Sequence, residues 1–141
     1  MKFPALSLLL AATASCAPGA PDIQISDAWA RATAPGQSSG AVYAMIDNRG
    51  GADRLVDVSS SAGTAMLHGS ASADGISRMR MLPALPIPAS ARVELAPGRT
   101  HIMLTGLDAP LAAGAKLGLT LRFARAGSRT VEVAVVAAGA R

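Results

Sequence analysis

Hydrophobic and polar residues alternate most regularly near the end of the chain. Every second residue from Leu117 to Phe123 is leucine or phenylalanine, and every second residue from Val131 to Val135 is valine. Successive side chains of a β-strand point to opposite faces, so a period of two predicts strands with one buried face. Ala126-Gly127 lies between the two segments and is expected to form the turn that joins them.

Shorter hydrophobic segments occupy the earlier part of the chain, and turn-forming residues separate them. Asn48 to Gly51, Asp74-Gly75 and Pro97-Gly98 are such turns, and Asp-Gly is typical of a hairpin. The segments between them predict an all-β domain, a Greek-key β-sandwich or small barrel of seven to nine short antiparallel strands. The earlier predicted strands are near 23–31, 41–47, 55–58, 65–68, 76–81, 93–95 and 101–104.

The beginning of the chain has the layout of a secretory signal peptide over residues 1–16. Met1-Lys2 is positively charged, and an apolar segment too short to span a bilayer follows. Thr13-Ala14-Ser15-Cys16 is similar to a bacterial lipobox, in which Cys16 would be lipidated, whereas Ala12-Thr13-Ala14 fits ordinary cleavage. Both interpretations place the mature protein outside the cytoplasm, in the periplasm or on a membrane anchor. Residues 17–22 are then a tether and residues 23–137 the domain.

Composition excludes several classes of function. Cys16 is the only cysteine, so the domain has no thiolate for a zinc cluster or for a blue-copper centre. The net charge is +4, but the arginines are scattered and the chain has only one Trp, one Tyr and two Phe, so nucleic-acid binding is not expected. Asp53 and Asp74 are interpreted as surface and turn residues rather than as a catalytic pair. No nucleophile–base spacing is recognisable, so the chain is not expected to be an enzyme.

Both histidines of the chain have methionines at distinctive spacings. Ten residues separate His68 from Met79, twenty-one separate Met79 from His101, and one separates His101 from Met103. In a strand, His101 and Met103 leave the same face while Ile102 points to the core. Imidazole and thioether are soft, neutral ligands that suit Cu(I), although each residue taken alone is more typical of core packing or of the surface. On chemistry alone the pattern makes a metal site a candidate but does not outweigh the structural alternative.

The spacing of these four residues resembles the motif of the periplasmic copper chaperone family written PCu(A)C. Residues 27–32, 53–60 and 101–107 resemble the family as well, and the resemblance extends over about 23–136. It implies a cupredoxin-like domain that binds one Cu(I) through His68, Met79, His101 and Met103. It also implies copper delivery to a cuproenzyme, such as a subunit of cytochrome c oxidase, or to another copper-transfer protein.

Two features of the chain depart from the family pattern. Many members have a methionine two residues after the first histidine, where this chain has Ser70. Met66 could substitute for it, although core packing is the alternative, and Met45 and Met81 are interpreted as core or rim residues. The chain also ends without the His- and Met-rich tail of many members, so a second copper site there is not expected.

Three functions are consistent with these features. The first is a Cu(I) chaperone for a cuproenzyme, and the second is a copper buffer or resistance protein that uses the same site. The third is a metal-free adhesion or scaffold domain. Copper binding separates the third from the others, and the phenotype of a deletion strain separates the first two.

Overall fold

The computed structural model describes residues 19–141, and this part of the chain is all-β, as predicted. It has ten strands, whereas the sequence predicted seven to nine. The additional strand, β6, has three residues and contains Pro86. Proline cannot donate to a strand ladder, and β6 accordingly lies at an edge of the sheet. The strands are β1 (Ile23–Arg31), β2 (Gly40–Asn48), β3 (Asp53–Ser60), β4 (Thr64–Ala73), β5 (Ile76–Met81), β6 (Leu85–Ile87), β7 (Arg92–Leu95), β8 (His101–Thr105), β9 (Lys116–Phe123) and β10 (Gly127–Val136).

All ten strands belong to one hydrogen-bonded sheet. Its order is β5-β4-β8-β2-β1-β10-β9-β3-β6. The remaining strand, β7, also pairs with β2, along residues 44–47, whereas β8 pairs with residues 40–42. The pairing of β1 with β10 is parallel, which departs from the predicted antiparallel arrangement. These are the first and last strands of the domain, so no short turn joins them and dictates their relative direction. The sheet is therefore mixed.

The sheet curves so that strands distant in its order face each other across a hydrophobic core. β3 and β4 pack together, although they are not hydrogen-bonded neighbours. Val58 of β3 and Leu67 of β4 are both core residues. The largest fully buried side chains come from seven strands and are Val42, Ile46, Leu55, Ile87, Leu95, Ile102, Leu104, Leu119, Leu121 and Val133.

Asp74 and Gly75 form the predicted hairpin turn between β4 and β5. Both residues have positive φ angles, 52° and 75°. Two consecutive left-handed residues match the twist of the flanking strands, as in a type I′ turn. The turn sets the register in which Ala73 opposes Ile76 and His68 opposes Met81.

Asp53 is not the surface residue that the sequence suggested. Its side chain is buried, and its carboxylate accepts hydrogen bonds of 2.8 Å from the backbone N–H groups of Arg54, Arg125 and Ala126. Burial by itself would raise the pKa of Asp53. The three N–H groups and the charge of the Arg125 guanidinium outweigh that effect and hold the pKa below its ordinary value. Asp53 thus connects the start of β3 to the β9–β10 turn.

Cys16 and the predicted signal peptide lie outside the described residues. The described part of the predicted tether, residues 19–22, lies against the domain. Arg49 N–H donates to Asp22 O at 2.9 Å, Gly51 N–H donates to Ala20 O at 3.1 Å, and the Arg125 guanidinium donates to Gly19 O at 3.2 Å. Residues 19–141 contain no helix of the length and hydrophobicity that a membrane crossing needs.

Candidate metal centre

The two histidines oppose each other on neighbouring strands. His68 of β4 is the direct cross-strand partner of His101 of β8. Their ring centroids are 6.0 Å apart, and the rings are inclined at 69°. The residues that alternate with them, Leu67 and Ile102, are buried in the core, so the histidines lie on the other face of the sheet. We call that face of β4, β8 and β5 the histidine face.

The ring nitrogens of both histidines are arranged for metal binding. His101 is only 3% exposed, and its Nδ1 lies 2.8 Å from the carbonyl oxygen of Arg99. A carbonyl only accepts, so Nδ1 carries the proton and Nε2 keeps its lone pair for a metal. The Nδ1 of His68 is buried and has no hydrogen-bond partner within residues 19–141. A buried nitrogen without a partner is unfavourable, and coordination to a metal ion would satisfy it.

Two methionines lie beside the histidine pair on the same face. Met66 of β4 is the direct partner of Met103 of β8, two residues along each strand from the histidines. Both methionines are half-buried. Met103 also lines a cavity of about 420 Å³ with Tyr43, so its thioether adjoins open space. Met66 is on the histidine face rather than in the core.

Two further methionines come from β5, the edge strand. Met81 directly opposes His68, and Met79 directly opposes Ser70. Met79 and Met81 are 62% and 63% exposed, so of the two positions expected for Met81, core or rim, the structure excludes the core. All six residues of β5 are exposed, because it is an edge strand whose only hydrogen-bonded neighbour within residues 19–141 is β4. Met45 is half-buried on β2, where it opposes Glu94 of β7 rather than a residue of β4, β5 or β8.

Trp29 and Tyr43 extend the row of side chains that includes the histidines. Tyr43 of β2 lies 6.3 Å from His101, and Trp29 of β1 lies 4.6 Å from Tyr43, between ring centroids. Trp29 therefore lies in the same row of side chains as the histidines. No periodicity could have revealed the contact, because it depends on the pairing of β1, β2 and β8.

The donor set of the histidine face is soft and uncharged. It combines two imidazoles with four thioethers, from Met66, Met79, Met81 and Met103. The described residues contain no group of three or more His, Cys, Asp or Glu side chains suited to a metal ion. Hard ions such as Mg²⁺ and Ca²⁺ require clustered oxygen ligands, whereas imidazole and thioether suit Cu(I). These residues therefore fit a copper ion better than a hard cation.

Comparisons with known proteins agree with this chemistry. The model of the LpqE-like family, described as "Putative lipoprotein LpqE-like", matches residues 23–135. A curated relative, "Putative lipoprotein Lxx21020" of Leifsonia xyli subsp. xyli, is 37% identical over 116 residues, which are 80% of this chain and 69% of that protein.

Solved structures of PCuAC domains have the same fold. The copper-bound PCuAC domain from PmoF2 superposes with a TM-score of 0.71 at 27% identity, covering 84% of this chain and 96% of that domain. The solution structure of CuI-DR1885 from Deinococcus radiodurans gives 0.61 at 30% identity, covering 89% and 82% of the two chains. The expected cupredoxin-like fold and the resemblance to the copper chaperone family are confirmed. The chain belongs to the LpqE-like family, whose structural relatives include these PCuAC domains.

Proposed function

We propose that this protein is an extracytoplasmic copper chaperone that binds one Cu(I) per chain. His68, His101 and Met103 are the ligands from β4 and β8, and Met79 is a ligand from β5. The observation that carries the proposal is the direct opposition of His68 and His101 on a face lined by methionines. The copper-bound relatives support the choice of metal.

Carrier activity, rather than catalysis, is what this donor set can perform. Neutral ligands hold Cu(I) less tightly than thiolates would, so the ion can pass to an acceptor. His101 is buried, whereas Met79 is mostly exposed, so an acceptor would approach from β5. The relatives are copper-binding domains, which supports the expectation that the chain is not an enzyme.

A competition titration against a Cu(I) probe tests the binding. We expect one Cu(I) per chain, with nitrogen and sulfur scatterers in the X-ray absorption spectrum. The double variant His101→Ala/Met103→Ala should lose binding. Met45→Leu, which changes a methionine that opposes β7 rather than β4, β5 or β8, should not. A stoichiometry near zero, or equal binding by both variants, would overturn the proposal.

We propose the copper centre of cytochrome c oxidase as the recipient. The support for this step is the resemblance to the copper chaperone family. The test is oxidase activity in a deletion strain grown at limiting copper, with complementation by the unsubstituted gene and by His101→Ala. Lower activity that only the unsubstituted gene restores would support delivery. Normal oxidase activity with increased copper sensitivity would indicate a copper buffer instead.

We further propose that Cys16 is lipidated and anchors the protein to a membrane. The lipoprotein relatives support this. Because residues 19–22 lie against the domain, lipidation would hold the β2–β3 turn close to the membrane, since the three residue steps from Cys16 to Gly19 span at most about 11 Å. Cys16→Ser should then release the protein from the membrane fraction or block its processing. Equal partitioning of both forms would contradict the proposal.

A further inference from the structure

The edge strand β5 presents two methionines to the histidine face, although the proposed site uses only one of them. Met79 and Met81 are two residues apart, so both side chains leave the same face as His68 and Ser70. We infer that Met81 is a second thioether ligand of Cu(I) that exchanges with Met79. This inference rests on the proposed function, because it concerns how the same ion is held.

The strand register favours Met81 at least as strongly as Met79. Met81 directly opposes His68, while Met79 opposes Ser70 and is therefore a diagonal neighbour of His68. Side chains directly opposite have Cβ atoms about 5 Å apart, and diagonal neighbours about 7–8 Å. The methionine side chain is unbranched and has three rotatable bonds, so its sulfur can cover either separation. Both thioethers can therefore reach an ion bound at His68.

The surroundings of β5 allow the exchange. Met79 and Met81 are more than 60% exposed, so packing fixes neither side chain in one rotamer. They also adjoin different open spaces. Met79 lines a groove of about 740 Å³ with Ser70 and Thr100, and Met81 lines a cavity of about 160 Å³ with Met66. Each thioether therefore has open space beside it in which its side chain can change rotamer.

The exchange is a ligand substitution without redox chemistry. One Cu–S bond forms as the other breaks, the copper stays Cu(I), and both thioethers remain neutral. His68, His101 and Met103 hold the ion throughout, on strands whose register does not change. One coordination position is then always open to replacement from the exposed side, where an incoming ligand of an acceptor protein could take it.

Affinity measurements on four variants test the exchange. Met79→Leu, Met81→Leu, the double variant and the control Met45→Leu are compared with the unsubstituted chain, all carrying Cys16→Ser so that the thiol does not compete for Cu(I). With two interchangeable ligands, each single variant loses only one of two bound arrangements and should weaken binding about twofold. The double variant loses both and should weaken it at least about tenfold. Met45→Leu should bind as the unsubstituted chain does.

The relation between single and double variants decides the outcome. A loss in the double variant that exceeds the product of the two single losses supports exchange. If the loss of affinity in the double variant is equal to or smaller than the product of the two single losses, the inference is overturned. β5 would then supply a single ligand, two simultaneous ligands or none. X-ray absorption should count the same number of sulfur ligands in both single variants and one fewer in the double variant.

Failure of the unsubstituted chain to bind Cu(I) would instead overturn the proposed function. Because Met79 and Met81 are exposed, the apo forms of Met79→Leu, Met81→Leu and the double variant should unfold at the same midpoint as the unsubstituted apo chain.

Discussion

β8 and β5 lie on either side of β4, and both present methionine on the histidine face. Every residue of β8 is buried or half-buried, because β8 pairs with β4 and β2 and sends Ile102 and Leu104 into the core. Every residue of β5 is exposed, because β5 is an edge strand that, in the described part of the chain, pairs only with β4. The proposed ligands on β8 are therefore positioned by the fold, and those on β5 by the β4–β5 hairpin.

This difference suits a protein that must hold an ion and also release it. A ligand fixed by packing gains affinity, because little of its motion is lost on binding. A ligand on an exposed edge contributes less affinity, but an acceptor can reach it. Four predictions test whether the two strands are as separate as their burial indicates.

The largest expected effect is on folding stability, at the core position of β8. Ile102→Ala removes a fully buried side chain and should lower the free energy of unfolding by about 2–5 kcal/mol. Ile76→Ala in β5, where the side chain is 54% exposed, should lower it by less than about 0.5 kcal/mol. Urea unfolding of the two apo variants measures both values. Similar losses would mean that β5 is part of the cooperative core.

The next effect is on copper affinity, at the buried histidine of β8. His101→Ala removes a proposed ligand that the carbonyl of Arg99 orients, and should weaken Cu(I) binding by at least about 100-fold. Met79→Leu in β5 should weaken it far less. Probe competition at constant pH gives both values. If Met79→Leu were the more damaging substitution, the edge strand rather than β8 would hold the ion.

Asp53 tests whether the scaffold can be weakened without affecting copper binding. Its folded pKa is lowered, so the ionised carboxylate stabilises the protein above the unfolded value of 3.8, and that contribution disappears as the pH falls through the folded pKa. Asp53→Asn should cost about 2 kcal/mol at neutral pH and should remove part of the acid dependence of unfolding. Its Cu(I) affinity should equal that of the unsubstituted chain, and a weaker affinity would couple the β9–β10 turn to the site.

The smallest effect is expected at the hairpin turn. Gly75 has φ of 75° and open space where a Cβ would lie, so Gly75→Val acts through backbone conformation alone. Left-handed backbone costs such a residue about 1–2 kcal/mol, which corresponds to up to about 30-fold weaker copper binding if Met79 and Met81 lose their register. Gly75→Asn, which tolerates this conformation, is the matched control and should bind nearly normally. Global stability should change little, and a large loss would contradict the independence of β5.

Local features of the sequence were enough to predict much of the fold. The alternation from Leu117 to Phe123 and from Val131 to Val135 predicted β9 and β10, because a half-buried strand repeats every two residues. Asp74-Gly75 predicted the β4–β5 hairpin, because few residue pairs accept two left-handed conformations. The histidines and methionines were selected as candidate ligands by residue type and spacing. Whether Met79 is a ligand remains a prediction.

The neighbours of each candidate residue were decided only by the tertiary structure. The opposition of His68 to His101 and of Met66 to Met103 depends on the pairing of β4 with β8, strands separated by β5, β6 and β7 along the chain. The burial of Asp53 depends on contacts with residues 125 and 126, and the contact of Trp29 with Tyr43 depends on the β1–β2 ladder. A sequence pattern records which face of its own strand a residue occupies. Register between distant strands follows from the packing of the whole core, so the sequence determined the ligand types and the structure decided which of them meet.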